Sequence, residues 1–363
     1  MARKGREKPR IEYESRLSFR QGKRSRESSD APDTRDGRIY LFEKDLLLST
    51  EIALATARPL LLLGAPGSGK SSYASFVARN LDWRYYEYVV NSRSESKELY
   101  YRYDAVRRLS DVYTTRLAQH DGSLQASIRP YIQPGPLWWA LNPESACRRG
   151  GSDDAERAEE PFAELNSKRS LGGAVFLIDE IDKADPDFPN DLLVALGSRA
   201  FDIEELNGER IDLTAGAGSQ AKRTKSRPVR TSQDSESLFR PPLVVITTNE
   251  ERDLPGPFLR RCVVHTLAAP TQDRLVEIGL AHFRGLVPGG AVDRELIGRL
   301  AARTVQLRDE ATSRRERAPS TAEFLDAAFA CHRLGITPNQ EGEPVWEHIE
   351  KVTLTKPHER TRP

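Results

Sequence analysis

Residues 64–71 read Gly-Ala-Pro-Gly-Ser-Gly-Lys-Ser, a glycine, four residues, then Gly69, Lys70 and Ser71. Glycines let the backbone wrap closely round anionic oxygens, and the amides of Gly67, Ser68 and Gly69 can then point inward. The helical pattern that follows offers its positive end to the same anion. An ammonium at Lys70 and a hydroxyl at Ser71 suit the β- and γ-phosphates and a Mg²⁺ ion. A second pair, Asp179–Glu180, ends the apolar run "AVFLIDE". Asp179 would hold Mg²⁺ through its water shell, and Glu180 would orient and deprotonate a water. A third, Thr248–Asn249, ends "LVVITTN", where an amide can bond both a γ-phosphate and a water. Arg260–Arg261 stand just before a further apolar run, and a guanidinium is always charged and forks onto two phosphate oxygens. Singly, these are a strand-to-helix turn, an acidic turn and surface charge. Together they read as a nucleoside triphosphate site.

Such groups need elements to hold them. "EKDLLLSTEIALATA" has helical spacing, "PLLLLG" is a buried strand running into the glycines, and "SSYASFVARNL" is the helix after them. "RYYEYVV", "GGAVFLIDE", "PLVVITTNE" and "CVVHTLAAP" read as strands; "KELYYRYDAVRRLSDVYTTRLAQ" and "PNDLLVALGSRAF" read as mostly helical. Buried apolar strands alternating with helices indicate a parallel sheet covered on both faces. In such sheets ligands sit at the carboxyl ends of the strands. After Pro270 only helical patterns remain. The expected fold is α/β: a parallel five-stranded αβα core over 37–269 and a small all-helical lid over 270–356. Charged, apolar-poor residues 1–36 read as a basic flexible tail and 357–363 as a second tail. Polar stretches at 145–172 and 214–241 read as mobile insertions.

Composition sets outer bounds. The 363 residues exceed what one hydrophobic core usually holds, which agrees with two domains. A net charge of +1 argues against a nucleic-acid coat, leaving a nucleic-acid arm in the basic tail as the lesser reading. Cys147, Cys262 and Cys331 are far apart, with neither zinc spacing nor a disulfide framework, which suits a reducing compartment. The histidines lack metal-ligand spacing. No apolar run approaches the ~20 residues of a membrane span. The expectation is a soluble, cytoplasmic protein.

The set of motifs resembles the AAA+ ATPases. "GAPGSGKSS" is similar to their Walker A loop, "VFLIDEID" to Walker B, "VITTN" to sensor 1 and "FLRR" to the arginine-finger position before the fifth core strand. The resemblance implies ATP and Mg²⁺ as cofactors, held by Gly64, Pro66, Gly67, Ser68, Gly69, Lys70, Ser71 and Ser72, with Ser71 and Asp179 at the metal. It implies Glu180, Asn249, Arg260 and Arg261 as catalytic groups, and a hexameric ring. Within AAA+ the chain looks closest to the MoxR branch: "PGPLWWALN" resembles a segment before Walker B, and "FDIEELNGERIDL" a hairpin before sensor 1. That branch implies a chaperone-like role on a protein partner encoded nearby. There are departures. Ser320 and Thr321 stand where a sensor 2 arginine would fall, so either sensor 2 is absent or Arg314, Arg315 or Arg317 substitutes. No aromatic-hydrophobic-glycine pore loop follows the second strand, which favours remodelling of a folded partner over peptide threading, with "YIQPGPLWW" as the alternative segment that could face a pore. The rival readings are a GTP-using restriction-type motor, against which "TTNEERD" lacks the expected methionine, and a nucleotide-gated scaffold with little turnover.

Overall fold

A computed structural model of the chain describes residues 37–118, 127–152, 157–198, 200–213, 241–286, 293–314, 316–336 and 344–355. Helix α1 (Lys44–Thr56) leads into β1 (Leu60–Leu63), α2 (Lys70–Asn80) and β2 (Trp83–Val89). A short hairpin follows, β3 (Tyr101–Tyr103) against β4 (Ile132–Pro134), with α3 (Ala105–Ala118) carried between its strands. Next come α4 (Pro136–Leu141), α5 (Pro143–Cys147), α6 (Ala163–Asn166), β5 (Ser170–Asp179) and α7 (Phe188–Gly197). A second hairpin pairs β6 (Ala200–Ile203) with β7 (Glu209–Asp212). The core closes with β8 (Leu243–Thr248), α8 (Gly256–Leu259) and β9 (Val263–Thr266). The C-terminal region is helical: α9 (Gln272–Leu286), α10 (Arg294–Arg314), α11 (Thr321–Leu334) and α12 (Pro344–Ile349).

The main sheet has five strands in the order β2-β5-β8-β1-β9, each neighbouring pair parallel. Side chains alternate across a strand, and here they sort into two cores. Leu61, Phe176, Ile178, Val244 and Ile246 join the α4 and α7 side. Leu60, Leu62, Val175, Leu177, Leu243 and Val245 join the α1 and α2 side. Burial on both faces explains why these strands read as continuous apolar runs. A third core belongs to the helical region, where the rings of Phe283 and Phe329 stack with centroids 4.5 Å apart.

Within the mostly helical stretch that begins "KELYYRYDAV", a 3-10 turn at Ser96–Leu99 and β3 precede α3. Two expectations need correction. "YIQPGPLWW" does not present its aromatic residues outward, because Trp138 and Trp139 are 0% and 2% exposed and the ring of Phe201 meets Trp138 edge-on. Residues 145–172 are not, in their described part, a loose insertion. Arg149, Ala158 and Asn166 are buried there. The polar groups that suggested mobility have partners: Arg149 Nε donates to Ile132 O at 2.9 Å, and Glu160 accepts from Tyr86 Oη at 2.7 Å. The tails at 1–36 and 357–363 and the stretch 214–240 lie outside the described residues.

Asn166 shows most clearly what that segment does. Its Oδ1 accepts the Tyr85 N–H at 2.9 Å, and its Nδ2 donates to the Tyr85 carbonyl at 3.1 Å. Tyr85 lies in β2, the outer strand of the sheet, so one side chain serves as its missing ladder partner. Asn166→Ala would strand both groups, a loss of about 1–3 kcal/mol. Urea unfolding checks this, and an unchanged midpoint would mean the segment is not packed in solution.

Candidate functional site

Leu63 ends β1, and the chain turns through Gly64–Gly69 before α2 begins at Lys70. Gly67 and Gly69 have φ of 70° and 95°, a region in which an L side chain is strained. Lys70 is 5% exposed. Its Nζ donates to Gly64 O at 2.6 Å, Ala65 O at 2.9 Å and Asn249 Oδ1 at 2.9 Å. Burial pushes this ammonium below its ordinary pKa, while the charges of Asp179, Asp182, Glu250 and Glu180 oppose the shift. The loop is curled round its own lysine.

At the ends of β5 and β8, Asp179 Oδ1 accepts from Ser71 Oγ at 2.7 Å and from Thr247 Oγ1 at 2.6 Å. Thr247 Oγ1 in turn accepts the Glu180 N–H at 2.9 Å. Glu180 has φ of 61° and Glu250, beyond β8, also 61°. A left-handed conformation costs a non-glycine residue about 1–2 kcal/mol, so the surroundings must enforce it. The Glu180 carboxylate is a third exposed and accepts from Lys183 Nζ at 2.7 Å. That hydrogen bond holds the Lys183 ammonium above its ordinary value. A pair this exposed is worth about 0–1 kcal/mol, so it restrains the glutamate without locking it.

Ser71 and Asp179 offer the hard oxygen donors that Mg²⁺ prefers. Among the described residues no group of three His, Cys, Asp or Glu side chains is arranged for a metal. The pair therefore fits an ion that takes its remaining ligands from phosphate and water.

A family model described as AAA domain (dynein-related subfamily) matches residues 59–261, from the residue before β1 to Arg261. The chain belongs to the AAA family. Membership carries nucleotide binding and nucleotide-dependent ATPase activity. A search of curated proteins found no match.

One part of this AAA domain lies away from the phosphate loop. Arg260 and Arg261 are exposed and precede β9, whose Val263 is level with Leu60 at the start of β1. The length of β1, about 10 Å at 3.3 Å per residue, separates their level from that of Gly64. They are not brought together with the loop of their own chain. Arg314 is exposed at the end of α10, and Arg317 pairs with Glu323 at 2.9 Å.

What meets the loop from the helical region is Ser320, the N-cap of α11. It forms a capping box with Glu323, accepting Glu323 N–H at 3.2 Å and donating its own N–H to Glu323 Oε2 at 2.8 Å. Arg308 steadies this corner, donating to Pro319 O at 2.8 Å and Pro270 O at 3.0 Å. Beside it lies a cavity of about 170 Å³, walled by Ile39, Leu41, Gly69, Leu267, Ile278 and Leu325, with His282 and Asp326 also on its lining. Sequence reasoning missed this cavity, along with Thr247, Lys183 and Asp182. Its walls come from four separate parts of the chain, and only the non-helical apolar run "IYLF" hinted at it.

A Cβ on Gly67 would fall 2.5 Å from Ser320 Cβ and 2.7 Å from Ser320 Oγ. Gly67→Ala therefore combines backbone strain with a clash against α11, and should weaken ATP binding about tenfold or more, the equivalent of 1.4 kcal/mol. Ser320→Gly in the same chain should recover part of the loss in a titration with a fluorescent ATP analogue. Absence of recovery would mean that α11 stands away from the loop in the bound state.

Proposed function

We propose that the protein hydrolyses ATP with Mg²⁺ in an oligomeric ring, in the manner of the MoxR branch, and uses the cycle to remodel a protein partner. The observation that carries this is the convergence of Lys70, Ser71, Asp179, Glu180 and Asn249 at the carboxyl ends of three adjacent strands, β1, β5 and β8. In this reading the triphosphate enters the glycine loop and takes over the Lys70 protons that Gly64 and Ala65 now accept. The nucleoside fills the cavity between Ile39 and Leu325. Asn249 bonds the γ-phosphate and the attacking water, and Glu180, parted from Lys183, takes the water's proton. Ser71 and Asp179 would hold a Mg²⁺ ion, which supplies charge neutralisation at the β- and γ-phosphates.

The far placement of Arg260 and Arg261 supports action on the nucleotide of a neighbouring subunit, where such arginines are worth about 10³–10⁵ in rate. A protein partner is supported by α3, which exposes Val106, Leu109 and Tyr113 at 81%, 57% and 59%. Their spacing puts them on one helical face, an apolar stripe of the kind that marks interaction sites.

A pair of variants tests the chemistry. Lys70→Ala should lose ATP binding. Glu180→Gln should bind ATP normally and turn over about 10²–10⁴-fold more slowly, the usual loss for a general base. Ordinary ATP affinity in the first, or turnover within a few-fold of wild type in the second, would overturn the assignment.

The arginines are tested by mixing. An Arg260→Ala, Arg261→Ala chain and a Lys70→Ala chain, each inactive alone, should regain part of the ATPase activity together. Co-assembly without recovery would count against action between subunits.

A further inference from the structure

Asp182 lies in the turn after β5 and is 3% exposed. Its Oδ2 accepts the backbone N–H groups of Asn249 and Glu251, each at 3.0 Å. The residue between them, Glu250, is one of the left-handed ones, and its own N–H goes to Thr248 Oγ1 at 3.0 Å. Backbone N–H groups that converge across such a turn make a concavity for an anion. Here a carboxylate of the same chain fills it. The second oxygen, Oδ1, is buried with no hydrogen-bond partner among the described residues. A buried carboxylate left half satisfied is costly, so the fold alone gives a weak reason for one at this position. Asn249 is meanwhile held at its other end, where its Oδ1 accepts from Lys70 Nζ at 2.9 Å.

We propose that Asp182 is the positioning residue for Asn249: its carboxylate clamps the 249–251 backbone, so that the Asn249 amide stays aimed at the reacting phosphate and water once ATP takes over Lys70. The inference rests on the role given to Asn249 under the proposed function. The Lys70 contact is lost to the incoming γ-phosphate, and the Asp182 clamp is what remains. The turn then keeps its left-handed residue, and the backbone from which the Asn249 side chain projects stays fixed.

The test is steady-state ATPase and ATP-binding measurement on Asp182→Ala, Asp182→Asn, Asn249→Ala and the Asp182→Ala, Asn249→Ala double variant. Asp182→Ala should lower kcat about 10²-fold, as loss of one preorganised hydrogen-bonding group does, with the Kd for ATP nearly unchanged. Asp182→Asn still offers an oxygen to both N–H groups and should recover most of the lost rate. The double variant should be no slower than the slower single variant, because both changes remove the same amide from the reaction. Should Asp182→Ala not fold, the residual slowing of Asp182→Asn must vanish in the Asn249→Ala background.

Four results would overturn the clamp: wild-type kcat in Asp182→Ala, a Kd that worsens as much as kcat falls, Asp182→Asn no better than alanine, or additive losses in the double variant. Wild-type turnover in Asn249→Ala overturns the role of Asn249 and this inference with it. A slow Asn249→Ala beside a normal Asp182→Ala overturns the inference alone.

Discussion

One carboxylate oxygen joins three separate lengths of chain. Asp179 Oδ1 takes the hydroxyl hydrogens of Ser71, from the start of α2, and Thr247, from β8. Asp179 is 3% exposed, and a carboxylate taken that far from water has to be paired. The strand register supplies the partner: Ile178 lies beside Ile246, so the next residues, Asp179 and Thr247, come level at the end of the sheet. Thr247 passes the constraint on by accepting the Glu180 N–H. The relative placement of the loop, the Ser71–Asp179 pair and Glu180 thus depends on a registration set by apolar side chains deep in the sheet.

The groups that converge at the strand ends were legible in the sequence, because glycines, a lysine, paired acids and an asparagine at the ends of apolar runs have few other uses in that order. The groups that hold them were not. Thr247 looks no different from Thr248 until register distinguishes them. Nothing in the sequence distinguishes Asp182 and Lys183 from other charged residues, yet one holds the backbone just after β8 and the other pairs with Glu180. Residues 145–172 were misread because composition counts polar side chains without seeing where their hydrogen bonds go. The β3–β4 hairpin was hidden for a different reason: strands of three residues are too short to show a period against the helix between them.

Among the described residues, which leave out Arg315, the helical region meets the loop through Ser320 and not through an arginine. Ser320 presses on Gly67, while Arg317 is paired with Glu323 and Arg308 is spent on the carbonyls of Pro319 and Pro270. The contact is therefore steric. A change in the curl of the loop would alter the space Ser320 needs, and Arg308 of α10 ties that corner to the start of α11 through Thr321. Contact between the helical region and the loop thus depends on the loop's shape.

Asn166 also bears on how copies of the chain can meet. An outer strand of a sheet is ordinarily an open template onto which another strand can grow. In β2 the two backbone groups of Tyr85 are already taken by the Asn166 amide. A foreign strand laid along β2 would have to displace a buried side chain to pair at Tyr85. Growth of the sheet from the β2 side is thereby opposed at the middle of the strand.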